Sequence, residues 1–280
     1  METNEFPPYT GSVPQAPPPQ NKGSGYKKAA GPLAAIGILL AKFKSAIFVG
    51  LKFLPAVLKT GGTMALSIWA YSLRWGWLFA LGFVILIFVH ECGHLVAAKR
   101  LGLRVGAPVF IPFMGAFIAL KEAPRNAWIE AQVGIGGPIF GAIGSAVCYG
   151  IYFLTGNLLF SALAYMGFFL NLFNLAPFGF LDGGRVVTAL SPWLWLVGVV
   201  IIGAMMFFHF NLILLLIVIM SLPRLFSLFR KRTGEELRYY EVTPSQRLIM
   251  GILYFGLIAG LVVGMYFAHV DMSTGPAQVQ

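Results

Sequence analysis

The chain has 280 residues, of which 58% are hydrophobic and 11% charged, whereas a soluble domain is roughly 45–50% apolar and about 25% charged. That balance excludes an ordinary water-soluble domain and points to a membrane protein. The formal charge of +10 does not mark a nucleic-acid surface. Its lysines and arginines cluster between apolar runs, as at Lys99 and Arg100 or Arg230 to Arg232, the pattern of cytoplasmic loops.

Residues 1 to 32 mix Pro, Gly, Ser and Lys, cannot bury a core, and are expected to be a disordered tail with no secretory signal. Residues 33 to 75 open with apolar sequence interrupted by Lys42, Lys44, Lys52 and Lys59. On a helix these lysines share a little under half the circumference, which suits a segment lying in the membrane interface. Six later runs approach the roughly 20 apolar residues needed to cross a bilayer. They cover 76 to 97, 127 to 154, 157 to 180, 192 to 208, 211 to 228 and 244 to 268, with "HFN" at 209 to 211 read as a turn. Residues 271 to 280 form a tail. Between the first two runs, residues 102 to 126 carry Gly106, Pro108, Pro112 and Gly115, which disfavour helix and favour a short hairpin dipping into the membrane. An open strand edge is not tolerated against lipid, so the hairpin must lie against protein or line a cavity. The expected fold is thus an all-α polytopic membrane protein of about six transmembrane helices with a re-entrant β-hairpin between the first two. A membrane core is expected over 76 to 190 and further membrane helices over 191 to 270. If the first span runs outside to inside, Lys99, Arg100, Arg104, Arg125 and Arg230 to Arg232 share the cytoplasmic face. The Lys-rich N-terminal tail then lies outside unless 33 to 75 contains another crossing. Cys92 and Cys148 both sit in apolar runs and read as packing residues, not a disulfide.

Ionisable groups inside a bilayer cost about 2.5–3.5 kcal/mol each on insertion scales, so each needs a reason. Only His90, Glu91, His94 and Asp182 fall deep in apolar context. Glu130 sits near a helix start, where the dipole and headgroups suit its charge. In "LIFVHECGHLVAA", His90 and His94 lie four apart and project from one helix face, the spacing two imidazoles need to grip one zinc. Glu91 can reach a metal-bound water without ligating. The alternative, imidazoles merely hydrogen-bonded between packed helices, does not explain why the glutamate coincides with the spacing. A catalytic zinc needs a third ligand. With His209 and His269 expected at span ends, Asp182 is the candidate by elimination, in a stretch broken by Pro177, Gly179, Gly183 and Gly184. Its competing role is to cap the helix that begins at "GGRVV".

His90, Glu91 and His94, followed roughly eighty to ninety residues later by Asn174, Pro177 and the run Leu181 to Gly184, resemble the site-2 protease family of intramembrane zinc metalloproteases. "GGPIFG" at 136 to 141 and the re-entrant stretch resemble it more weakly, and the glycines read equally well as close helix packing. The resemblance implies one Zn²⁺ per chain held by His90, His94 and Asp182, with Glu91 as general base and proton donor. It implies an endopeptidase for transmembrane protein substrates; the apolar runs make the chain multi-pass in the cell membrane, and the helix rise of about 8 Å from His94 to Lys99 puts the expected site near the cytoplasmic face. PDZ and CBS modules carried by some members have no room here. Asn174 matches the family's loop asparagine, either as an oxyanion or substrate donor or as a partner for broken backbone near Pro177; Asn171 is a weaker version of the same case. The hairpin at 105 to 120 is expected to accept unwound substrate by strand addition, with Val109 or Phe110 the positions where a proline should interfere. A non-catalytic zinc protein that binds single-span partners, and a transporter with a His, Glu and Asp relay, are the competing readings.

Overall fold

The computed structural model describes Pro55 and residues 58–178, 181–208, 212–230 and 233–269. The expected N-terminal and C-terminal tails, most of the lysine-bearing segment, and the "HFN" turn with His209 lie outside the described residues. A helix over 58–75 (α1) leads to α2 (Trp77–Arg100) through Gly76, whose φ of 81° is one that glycine adopts without strain. There follow β1 (Val109–Ile111), β2 (Gly115–Phe117), α3 (Ala127–Thr155), α4 (Leu158–Asn174), α5 (Asp182–Leu190), α6 (Leu194–Phe208), α7 (Leu212–Phe229), α8 (Gly234–Tyr239) and α9 (Pro244–Ala268). Three of these, α2, α3 and α9, are long and apolar enough to cross a membrane. The third apolar run ends as a helix at Asn174, not 180, because Leu175 to Phe178 leave the helix in a turn.

Local chemistry explains most boundaries. The Asn126 side chain accepts from the Ile129 amide at 2.9 Å and starts α3; Gly156, at φ 68°, ends it in the left-handed conformation. Asn157 then caps α4 through the Leu159 amide at 3.0 Å. Thr233 with Glu236 and Thr243 with Gln246 form reciprocal capping boxes at α8 and α9, the latter helped by Pro244.

The core lies where α3 meets α4, α5 and α9, among Ile135, Phe168, Leu175, Val186, Trp195 and Tyr254. The boundary expected at 190 falls between α5 and α6, yet α9 packs back across it. Inside a bilayer, lipid is as apolar as leucine, so close helix packing depends on small residues. A Cβ on Gly93 of α2 would overlap the Gly136 backbone of α3, and one on Gly136 would press on Ala97 and the Gly93 carbonyl. These two glycines set how near α2 and α3 can come. Glu130, expected to reach headgroups, is buried instead and accepts from the Tyr239 hydroxyl at 2.6 Å. Helix α8 brings that phenol over the start of α3, a contact 109 residues apart in sequence.

The hairpin forms where Gly and Pro predict it, with β1 antiparallel to β2 and Phe110 opposite Ala116. Its turn closes with the Met114 amide on the Ile111 carbonyl at 3.1 Å. Phe113 sits there at φ 62°, uncommon for a bulky residue. Tyr71 of α1 holds it, accepting from the Phe113 amide at 3.1 Å and meeting its ring edge-on at 5.2 Å. Helix α1 also covers the outer edge of β1. Thr60 donates to the Pro108 carbonyl at 2.8 Å, and the Phe110 amide donates to the Thr63 hydroxyl at 3.2 Å. Of the two positions expected to meet a substrate strand, Val109 and Phe110, the latter thus has its amide already bonded. In an antiparallel pair the residues flanked by hydrogen-bonded pairs turn their amides outward. Ala116 accordingly presents the opposite edge, which no described residue hydrogen-bonds.

Replacing Thr63 by Val keeps the side-chain shape and deletes the acceptor. Hydrogen–deuterium exchange of the peptide containing Phe110 should then speed up, while peptides from α3 exchange as before.

Candidate metal centre

His90, Glu91 and His94 lie in the C-terminal half of α2 at 3%, 4% and 7% exposed, and they form a group able to hold a metal ion. The two imidazole rings stand nearly perpendicular, 79° apart, with centroids 4.8 Å from each other. Each ring is fixed from behind. His90 Nδ1 is 2.7 Å from Asn171 Oδ1, and the Asn171 amide nitrogen donates to the Gly167 carbonyl at 2.7 Å. That second bond sets the amide so that its oxygen faces His90, which makes Nδ1–H the donor. His94 Nδ1–H donates to the Val133 carbonyl at 2.8 Å. In both neutral rings the proton thus sits on Nδ1, and Nε2 carries a lone pair.

Those two Nε2 atoms point at each other, 3.1 Å apart, and each is 3.1 Å from Asp182 Oδ2. Three acceptors at the corners of a triangle with no proton between them repel, and a shared cation reverses the sign of that interaction. The donor set fits zinc. Ligands at about 2.0–2.1 Å around a tetrahedral ion are separated by roughly 3.3–3.4 Å, close to the observed edges, and a triangle leaves the fourth position open.

Asp182 reaches the triangle from the first turn of α5. Leu181 is the cap of that helix and makes no side-chain capping bond, so Asp182 does not cap it; the carboxylate faces the histidines. Arg185, one turn on, places Nη1 3.9 Å from the other carboxylate oxygen. The start of α5 is held by backbone contacts. The Trp195 indole N–H and the Thr188 hydroxyl both donate to the Gly184 carbonyl at 2.9 Å. A Cβ on Gly183 would overlap the Leu175 carbonyl.

The run "GGPIFG" acquires a specific role. A Cβ on Gly137 would overlap the His94 ring, and one on Gly141 would overlap the Asn171 amide. The glycines of α3 therefore open space for the two side chains that form and orient the centre. Of the two asparagines, Asn171 is drawn into the site and is 2% exposed. Asn174, at the end of α4, is half-buried and takes part in no side-chain hydrogen bond among the described residues. His269 caps the end of α9, its ring 5.7 Å from that of Tyr165. Cys92 and Cys148 are free thiols.

Gly137→Ala should displace His94 and weaken metal binding by at least about tenfold, the lower end of what disturbing a ligand's support costs. Equilibrium dialysis with zinc would measure this, with circular dichroism confirming unchanged helix content.

Residues 78–158 match the sequence model of peptidase family M50, a segment that contains the two histidines, Glu91, the hairpin and all of α3 but ends before Asp182. A zinc metalloprotease of Methanocaldococcus jannaschii is 31% identical over 132 residues, covering 45% of this chain. The match spans 38% of that relative's length. On residues 78–158, the segment that supplies both histidines and the glutamate of the centre, the resemblance of this chain to the site-2 protease family is established.

Proposed function

We propose that this chain is a zinc-dependent endopeptidase that hydrolyses peptide bonds in or near the transmembrane segments of other membrane proteins. The observation that carries this reading is the triangle of three inward lone pairs with a buried glutamate beside it, on a helix apolar enough to cross a membrane. A structural zinc site needs no such glutamate. Glu91 has no hydrogen-bond partner among the described residues, so its carboxylate is available to the reacting groups.

His90, His94 and Asp182 would hold the metal, which when bound polarises the scissile carbonyl and acidifies a water. The work of the chain's own residues follows from their placement. Glu91 accepts a proton from the attacking water and delivers it to the amine as the C–N bond breaks. Asn171 and Val133 keep each imidazole in the tautomer that leaves Nε2 free. Asn174, the last residue of α4, would bond an unwound substrate backbone. His94 lies about 8 Å of helix rise from Lys99, and Lys99 and Arg100 occupy the last turn of α2. That favours a site inside the membrane near its cytoplasmic face.

A substrate helix has its amides bonded internally and must unwind to be cut. Because α1 occupies the Phe110 edge of β1, strand addition is assigned here to β2, where Ala116 offers an outward amide and carbonyl.

Glu91→Gln in the full-length protein should retain zinc and lose at least about 100-fold in cleavage of a single-span substrate, the usual scale for a lost general base. Zinc retained with unchanged cleavage would reject Glu91 as the base. Ala116→Pro deletes one outward amide without touching the β1 to β2 ladder. It should lower cleavage at unchanged zinc content, and wild-type turnover would exclude β2 as the docking edge.

A further inference from the structure

Helix α9 supplies none of the three donors, yet it carries one polar group deep into the fold beside them. The Tyr254 hydroxyl donates to the Leu175 carbonyl at 2.5 Å, and the two residues are 3% and 1% exposed. A phenylalanine would fill nearly the same volume among Met250, Leu261 and Trp195. The hydroxyl therefore contributes a bond, not bulk.

Leu175 is the point where the two halves of the centre meet. It is the C-cap of α4, and its amide donates to the Asn171 and Leu172 carbonyls, both at 3.1 Å. Asn171, one turn earlier, orients His90. On the opposite side the Leu175 carbonyl faces Gly183, at a range no Cβ would permit, and Gly183 adjoins Asp182. Carbonyls in the last turn of a helix lack intrahelical partners, and this one is held between a phenol and a glycine backbone. We propose that Tyr254 is a positioning residue of the metal centre: its hydroxyl fixes the Leu175 carbonyl and thereby the spacing between Asn171-oriented His90 and Asp182. The proposal rests on reading those donors as metal ligands.

Without the phenol, the Leu175 carbonyl has to find another donor in a dry environment. The start of α5, packed directly on it, shifts with it. The metal-bound state then suffers more than the metal-free fold, because only the former demands donor positions accurate to a fraction of an ångström.

The test uses cobalt(II), whose visible absorption reports ligand geometry, with the full-length chain in detergent micelles as wild type, Tyr254→Phe, Gly183→Ala and Asp182→Asn. Expected are wild-type binding, loss of binding in Asp182→Asn, and about tenfold weaker binding in Tyr254→Phe with shifted absorption bands. Gly183→Ala pushes the same carbonyl from the other side and should also alter the spectrum, so the test survives if Tyr254→Phe does not fold. If Tyr254→Phe lowers the unfolding temperature of the metal-free protein but keeps wild-type affinity and spectrum, the hydroxyl is structural only and the proposal is overturned. Wild type without cobalt binding, or Asp182→Asn binding as wild type does, would overturn the reading of the site and the proposal with it.

Discussion

Three lone pairs forced to within 3.1 Å of one another are the constraint from which the rest of this fold can be understood. Left alone, two imidazole nitrogens and a carboxylate would separate, and in a medium of low dielectric their repulsion is weakly screened. The surroundings prevent separation by bonding each group from its far side. The Asn171 amide holds His90, the Val133 carbonyl holds His94, and the backbone around Gly183 and Gly184 holds the helix start that bears Asp182. The support is built largely from main-chain atoms, which have little freedom to relax. Metal affinity is thereby gained through preorganisation, with the cost spread over the packing of α2, α3, α4 and α5.

That packing explains where the glycines are. Gly93 and Gly136 bring two helix backbones together, and this approach puts the Val133 carbonyl within reach of His94. Gly137 and Gly141 then leave hollows on α3 into which the His94 ring and the Asn171 amide fit. Each of these positions costs helix propensity, roughly 1 kcal/mol relative to alanine. In a membrane, where the backbone has no competing water to bond, that cost is more easily borne. A helix face of small residues thus serves association and the site at once.

Much of this was legible in the sequence because it rests on local spacing. The i, i+4 histidines with an intervening glutamate needed only the helix period, and the charge census left Asp182 as the one carboxylate in apolar context able to complete the set. The second and last apolar runs coincide within a residue with α3 and α9, since caps such as Asn126 and Thr243 adjoin them. The hairpin followed from Gly and Pro. What escaped depended on which distant faces meet. Asn171 and Asn174 lie three residues apart on one helix, and only the position of α3 decides that the former faces His90. The third run was read through to 180 because "NLAPFGF" stays apolar after the helix has ended. Glu130 gave no sign of Tyr239, and nothing in Thr63 announced that it would cover the β1 edge.

The edge of β1 and the turn at Leu175 illustrate a common problem of non-helical backbone in apolar surroundings. Every exposed amide or carbonyl there needs a partner, and the chain supplies one from another helix: Thr63 for Phe110, Tyr71 for Phe113, Tyr254 for Leu175. Such partners are single hydroxyls, each delivering one bond at a defined point and otherwise packing as apolar residues do. Ala116 departs from this pattern, because its outward amide and carbonyl meet no described side chain. The two edges of the hairpin thus differ in one physical respect: the β1 edge is closed by α1 at Phe110, whereas the β2 edge keeps an amide and a carbonyl that no described residue hydrogen-bonds.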